Sequence, residues 1–315
     1  ASAKLLERGN TLLADYKKSK FANPSEKSEL LEIATTLGRI LPNAKDGYAF
    51  KFLNELRRAV KYQSPEPEIA LALISPETYL KSVGEMSDNE TSKFGWQEIS
   101  VLAQGMGELA NAPDEAVKKE AAYLAEKKLF GFMMPQLTQR NPELLKALPD
   151  VLRSFAAFKT ADASKHLQQF SKHGDIFVRA TVAELIGELP PGEENIKALQ
   201  RAFDYALITD SRYNDAQLAI LSALVKLDKA QSFESLRLAL KSPDYLVRKH
   251  AANLIKQNDL TKDFSNVEKM VGSVKPYDSK NSTRLGQVLN KEADYVRAVS
   301  RRNGTVKAVF TTEKG

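Results

Sequence analysis

Cysteine is absent from the 315 residues, which excludes disulfide bonds, thiolate nucleophiles and zinc sites built on sulfur. Histidine is scarce, with three residues at His166, His173 and His250. His166 and His173 are seven positions apart, about 10 Å along a helix, which is too far for one metal ion. No Ser, Thr or Lys lies at motif spacing from an activating base. The sequence therefore predicts no metal site, no cofactor and no catalytic residue.

Long hydrophobic runs are also lacking. No stretch approaches the roughly 18 apolar residues that a membrane-spanning helix needs, and the apolar segment Leu129–Leu137 is short and carries Pro135. The chain begins with ASAK, without a methionine and without a basic-then-apolar leader. A mature secreted form or an excised segment would begin in this way. The compartment stays open, with the cell envelope or periplasm favoured over the cytoplasm.

Net positive charge is small over most of the chain, although the whole chain carries +6. From Arg284 onward, seven basic and three acidic residues give +4, so the preceding 283 residues carry only +2. A helical-repeat protein that binds nucleic acid would spread positive charge along its groove and present aromatic wedges. Because this chain also has a single tryptophan, the sequence argues against a nucleic-acid partner.

One glycine motif resembles a nucleotide fingerprint. GMGELA (Gly105–Ala110) matches G-x-G-x-x-A, which requires a preceding strand so that the backbone can turn under a pyrophosphate. Here the apolar residues from Trp96 to Leu109 recur with helical spacing straight through the motif. The pattern predicts a helix whose small residues permit close contact with a neighbouring helix.

The middle of the chain contains a repeat. Three stretches align with one another: DEAVKKEAAYLA (Asp114–Ala125), DIFVRATVAELI (Asp175–Ile186) and DYLVRKHAANLI (Asp244–Ile255). Their offsets are 61 and 69 residues, and a weaker copy begins near Asp210. A repeating unit of about 30–40 residues indicates a solenoid of stacked helices.

The start of one unit illustrates its physical logic. Gly174 can end one helix, and the carboxylate of Asp175 can accept hydrogen bonds from the first amides of the next helix, which stabilises it by about 1 kcal/mol. Val178, Val182 and Ile186 then fall on one stripe of that helix. The prolines lie mostly in the breaks between helices, where their missing amides are tolerated.

The pattern resembles the HEAT family of helical repeats, whose first helix carries Asp, a Val-Arg pair and a small residue at these spacings. The resemblance implies an all-α fold, an α-α superhelix (HEAT-like solenoid), in which Asp175, Arg179, Asp244 and Arg248 form a structural ladder between neighbouring repeats. It also implies that the second helices line a concave face. On that face Arg201, Tyr205, Arg237 and Lys241 are the candidate partner-binding residues, with an ordinary solvated surface as the alternative.

The expected organisation has four parts. Residues 1–112 form irregular N-terminal helical pairs, with helices over Lys4–Lys17, Lys27–Ile40, Phe50–Tyr62 and Phe94–Ala110 and a loop at YQSPEPE (Tyr62–Glu68). Residues 113–275 form the HEAT-like repeats, and residues 276–303 form a polar linker and helix. Residues 304–315 form a short C-terminal β-strand, because Val306, Ala308 and Phe310 alternate with other residues at period two.

That last segment carries a second resemblance. GTVKAVFTTEKG (Gly304–Gly315) resembles the opening strand of cyclophilin-type peptidyl-prolyl isomerase domains, in the pattern V-x-A-x-x-x-T-x-x-G. The order of parts is similar to bacterial proteins that place HEAT repeats ahead of a cyclophilin domain. A lone strand leaves its amides and carbonyls unpaired, so we expect the rest of its sheet to follow Gly315. The catalytic residues of that family would lie there too, and residues 1–315 are expected to lack isomerase activity.

Two functions from different classes follow as expectations. The first is a protein- or peptide-binding solenoid that serves a cyclophilin-type isomerase by holding chains near its site. The alternative is a stand-alone scaffold without enzyme activity, whose terminal strand pairs with the sheet of another protein. The sequence leaves the client and the oligomeric state open.

Overall fold

In the computed structural model, the described residues are 2–87, 92–130, 142–160, 162–210, 213–264 and 266–272. They contain helices and turns and no β-strand, which confirms the all-α prediction for this part of the chain. The α-helices are α1 Ser2–Lys18, α2 Pro24–Ile40, α3 Gly47–Ala59, α4 Pro65–Ile74, α5 Pro76–Gly84, α6 Trp96–Glu108, α7 Glu115–Ala125, α8 Pro142–Leu145, α9 Leu148–Ala157, α10 Ala163–Gln169, α11 Ile176–Gly187, α12 Glu193–Thr209, α13 Asp215–Leu227, α14 Phe233–Leu240, α15 Tyr245–Gln257 and α16 Val267–Val271. A 3₁₀-helix (Leu109–Asn111) follows α6, and a π-helical segment (Glu126–Phe130) follows α7.

Several helices begin at an aspartate that satisfies their first free amides. The Oδ1 atom of Asp175 accepts hydrogen bonds from the amides of Phe177 (2.8 Å) and Val178 (3.1 Å), as the sequence predicts. Asp244 caps α15 in the same way, with distances of 2.7 and 3.4 Å to the first amides. Asp46 also caps α3 through two amides at 2.9 and 3.0 Å. Local sequence therefore determines where these helices start.

Alternate helices pack against each other in one continuous row, in the order α2, α4, α6, α9, α11, α13 and α15. The helices between them form a second layer, in which α1 contacts α3 and α10 contacts α12. The stripe predicted for α11 faces the core, since Val178, Val182 and Ile186 are all buried. Two layers of paired helices thus share a single apolar core.

The copy of the repeat at Asp114 has a different place from the other two. It forms α7, which packs against α5, while the row passes directly from α6 to α9. Residues from both sides of position 113 belong to one compact unit, Ala1–Val271. The second unit, Gly272–Gly315, contains the expected linker over 276–303 and the expected strand over 304–315, and these lie outside the described residues.

The prediction of a loop at YQSPEPE is wrong over most of that segment, because α4 begins at Pro65. A proline in the first turn costs no hydrogen bond, since the first amides of a helix have no partner within it. The buried carboxylate of Glu68 then lies inside the protein, where its Oε1 accepts hydrogen bonds from Arg57 (3.2 Å) and from the hydroxyl of Tyr79 (3.0 Å).

The glycines of GMGELA serve helix packing, as the sequence predicts. The motif lies within α6 and the following 3₁₀ turn. A Cβ atom at Gly105 would lie 2.3 Å from the hydroxyl oxygen of Tyr79, and one at Gly107 would lie 3.3 Å from the backbone of Ser154. Both glycines therefore allow neighbouring helices to approach more closely than a side chain would permit.

Among the described residues, no helix is both long and apolar enough to cross a membrane.

Candidate functional site

A groove runs along one face of α11 and one face of α13. Its volume is about 650 Å³, within the range of sites that hold ligands or side chains of a partner. It is lined by Pro149, Arg153, Phe177, Ala180, Thr181, Glu184, Gly187, Glu188, Asp215, Leu218, Ala219, Ser222, Ala223, Lys226 and His250. The residues from α11 and from α13 recur every three or four positions, so each set occupies one helical face.

The floor of the groove consists of small side chains on two helices in close contact. A Cβ atom at Gly187 would lie 3.0 Å from the Cβ of Ala223 and 3.2 Å from its Cα, so α11 and α13 almost touch there. Ala180 and Ala219 add further short side chains to the lining. Because the floor is low, the larger residues at the margins enclose an open channel.

Phe177 is the largest apolar side chain on the groove wall, and it is 62% exposed. It is the second residue of α11, a position fixed by the Asp175 cap. Its neighbour Val178 begins the buried stripe, so Phe177 cannot turn toward the core without unwinding the first turn. An exposed aromatic ring beside a groove is typical of a surface that binds a partner.

Three carboxylates and two cations line the groove. Lys226 forms an ion pair with Glu188 across the boundary between α13 and α11. Arg153 lies 3.6 Å from Glu184 and also donates a hydrogen bond to the hydroxyl of Thr181 at 3.3 Å. Asp215 is exposed and makes no hydrogen bond or ion pair with another described side chain. The groove therefore holds one carboxylate that is free to receive a cation.

At the α15 side of the groove, the Nε2 atom of His250 lies 2.8 Å from the hydroxyl of Ser222. Burial lowers the pKa of His250, and a hydrogen bond to the backbone of Leu218 opposes this effect only in part. The imidazole is therefore neutral near pH 7. Within the described chain no carboxylate bonds to this ring, so the pair lacks the third group that orients the base of a hydrolase. We interpret it as a polar contact in the groove wall.

The two half-buried histidines predict acid sensitivity. Burial is the main cause that lowers the pKa of both His173 and His250 below the ordinary value. Their unfolded forms therefore bind protons more readily than their folded forms, so this contribution to stability is complete above the unfolded pKa, about 6.5, and is lost as the pH falls below that value through the lower folded pKa. Urea denaturation at pH 7.5 and pH 5.5 should show a lower midpoint at pH 5.5. The double variant His173→Gln/His250→Gln should show a smaller difference, and an unchanged difference would contradict this assignment.

The four residues predicted to bind a partner lie on or beside α12 and α14, and none of them lines the groove. The ring of Tyr205 is 5.4 Å from the guanidinium carbon of Arg179. Arg237 lies over the ring of Phe264 at 5.6 Å and 3.7 Å from Glu234. Arg201 and Lys241 are exposed, and their side chains make no hydrogen bond or ion pair within the described part of the chain.

The residues predicted to form the ladder also have specific contacts. Arg179 forms a buried ion pair with Asp210, the residue that ends α12, and donates to the carbonyl of Gly174 at 3.0 Å. Asp244 accepts a hydrogen bond from Asn214, the cap residue of α13, at 3.0 Å. The pair of Arg179 and Asp210 therefore links α11 to the end of α12, and the pair of Asn214 and Asp244 links the start of α13 to the start of α15.

The remaining two ladder residues contact backbone. Asp175 caps its own helix, as described above. Arg248 donates to the carbonyls of Ser242 (2.7 Å), Pro243 (2.8 Å) and Val271 (3.0 Å). Arg248 thereby holds the turn before α15 and the end of α16 together.

In the described ranges, no group of three or more His, Asp or Glu residues is arranged to hold a metal ion. Comparisons of this chain with protein-family models, with curated proteins and with solved structures find no match.

Proposed function

We propose that this chain is a HEAT-like solenoid that binds polypeptide segments and that it forms the N-terminal part of a cyclophilin-type peptidyl-prolyl isomerase. The observation that carries the binding function is the groove with the exposed ring of Phe177 on its wall. The row of alternate helices from α2 to α15 supports a superhelical arrangement of repeats. The isomerase assignment rests on the resemblance of Gly304–Gly315 to a cyclophilin strand.

Several features of the groove suit a polypeptide better than a small metabolite. It crosses residues of four helices, α9, α11, α13 and α15, so a ligand that fills it must be extended. The small residues on its floor restrict the shape of a ligand only weakly. Its hydroxyl and imidazole groups can form hydrogen bonds with a polypeptide backbone. Holding a segment here would raise the concentration of its X-Pro bonds near an attached isomerase domain.

The test of binding is a titration with a permanently unfolded, fluorescently labelled polypeptide, followed by anisotropy. Phe177→Ala should weaken binding about tenfold, because truncating an aromatic anchor at an interface commonly costs more than 1 kcal/mol. The matched control is Tyr48→Ala. Tyr48 occupies the same second position of a capped helix and is 84% exposed, but it lies in α3, outside the groove.

Equal loss of binding in both variants, or none in either, would contradict the assignment of the groove as the binding site.

The isomerase assignment has a separate test in a refolding reaction limited by proline isomerisation. The native gene product, about 150–200 residues longer at the C-terminus under this proposal, should accelerate refolding, whereas residues 1–315 should not. A native chain with no isomerase activity that still binds polypeptide through Phe177 would favour the stand-alone scaffold.

A further inference from the structure

We propose that the groove selects segments in which a lysine or arginine is adjacent to apolar side chains, with Asp215 and Phe177 as the residues that recognise the cation. This inference rests on the proposed polypeptide-binding function and specifies its ligand. The chain as a whole is basic, with a net charge of +6, yet the groove lining carries more carboxylates than cations. The net charge of the groove lining therefore has the opposite sign to the net charge of the whole chain.

The pairing of the lining charges shows where a ligand cation would go. Arg153 and Lys226 each already have a carboxylate neighbour, Glu184 and Glu188 respectively. A ligand carboxylate would have to compete with these carboxylates for either cation. A ligand cation meets Asp215, which has no cation of its own in the described chain. The groove therefore favours positive over negative ligands.

Asp215 lies at the first position of α13 and Phe177 at the second position of α11, and both side chains line the same groove. A cationic side chain between them can lie over the face of the ring while it pairs with the carboxylate. The apolar stem of lysine or arginine would contact the ring, and adjacent apolar residues would contact Leu218, Ala219 and Ala180 in the groove lining. His250 adds no positive charge that would oppose this, because its imidazole is neutral near pH 7.

The experiment uses three fluorescein-labelled peptides of about twelve residues, identical except at one central position that is Lys, Gln or Glu between leucines. By anisotropy, the Lys peptide should bind about five- to tenfold more tightly than the Gln peptide, and the Glu peptide should bind most weakly. The preference should shrink at high salt, as for any exposed ion pair. Asp215→Asn should abolish the difference between Lys and Gln. The matched control Asp204→Asn, an exposed carboxylate on α12 outside the groove, should preserve it.

The outcomes separate this inference from the proposed function. Equal binding of all three peptides that still depends on Phe177 would overturn the charge preference and leave polypeptide binding intact. Retention of the preference in Asp215→Asn would overturn the role of this carboxylate. Failure of every peptide to bind, together with failure of the unfolded polypeptide in the earlier titration, would overturn both. Circular dichroism of each variant confirms that the helices are retained.

Discussion

Replacing Arg179 by methionine is expected to lower the free energy of unfolding by about 3–5 kcal/mol, because it leaves a buried carboxylate without its cation. Arg179 is 2% exposed and Asp210 is 9% exposed, so water cannot take over from the lost partner. The same guanidinium also donates to the backbone of the turn before α11 and lies over the ring of Tyr205. The side chain of Arg179 therefore connects the turn before α11, the start of α11 and the end of α12.

This loss is large in proportion to the whole, since folded domains are stable by about 5–15 kcal/mol. The measurement is urea denaturation followed by circular dichroism. Arg201→Met on α12 is the matched control, and a change within about 0.5 kcal/mol is expected there because Arg201 is exposed. The double variant Arg179→Met/Asp210→Asn should be more stable than Arg179→Met alone, because no unpaired charge remains. Equal stability of the Arg179 and Arg201 variants would contradict the structural role of the buried pair.

The fold could be predicted from the sequence where local interactions decide it. The cap at Asp175 and the buried stripe of α11 depend on residues within one helical turn or on one helical period. The partner of Arg179 could not be found in this way, because Asp210 precedes α13 in the weakest copy of the repeat. Two residues 31 positions apart meet only after α11, α12 and α13 have packed together.

Helix α4 shows a different limit of sequence analysis. The letters SPEPE suggest a break, since two prolines and two charged residues suit a surface turn. In the structure the prolines occupy the first turn of α4, and Glu68 is 1% exposed. Burial of a carboxylate is tolerated only when a cation and a hydrogen-bond donor reach it, and Arg57 and Tyr79 come from other helices. No local pattern reveals such partners.

The candidate groove could not be predicted from the sequence either. The sequence predicts binding residues on the second helices of the repeats, at Arg201, Tyr205, Arg237 and Lys241. The groove is instead lined by residues of α9, α11, α13 and α15. One signal was available: Phe177 stands between the Asp175 cap and the Val178 stripe, off the predicted buried face. The groove beside it depends on how closely α11 and α13 approach, and they come into close contact at Gly187 and Ala223.

Introducing a methyl group at Gly105 is expected to destabilise the protein by about 1–3 kcal/mol, although alanine is the better helix former. The new Cβ would lie 2.3 Å from the hydroxyl oxygen of Tyr79 and 2.7 Å from Cγ of Glu68. Neither side chain can withdraw, because Tyr79 is 0% exposed, Glu68 is 1% exposed and the two are hydrogen-bonded to each other. The gain in helix propensity, about 1 kcal/mol, is therefore outweighed by the clash.

A double-mutant cycle attributes the effect to this contact. Tyr79→Phe removes the closest oxygen atom, so Gly105→Ala should cost less in that background than in the natural chain, with a coupling of about 0.5–3 kcal/mol. The matched control is Gly84→Ala at the end of α5, where a Cβ would meet nothing within 4 Å. The free energies of unfolding of the natural chain, the two single variants and the double variant, measured by denaturant titration, give the coupling. Additive effects would mean that α6 moves away from Tyr79 as a rigid body, and the tight junction of α4, α5 and α6 would then be more adaptable than the buried contacts imply.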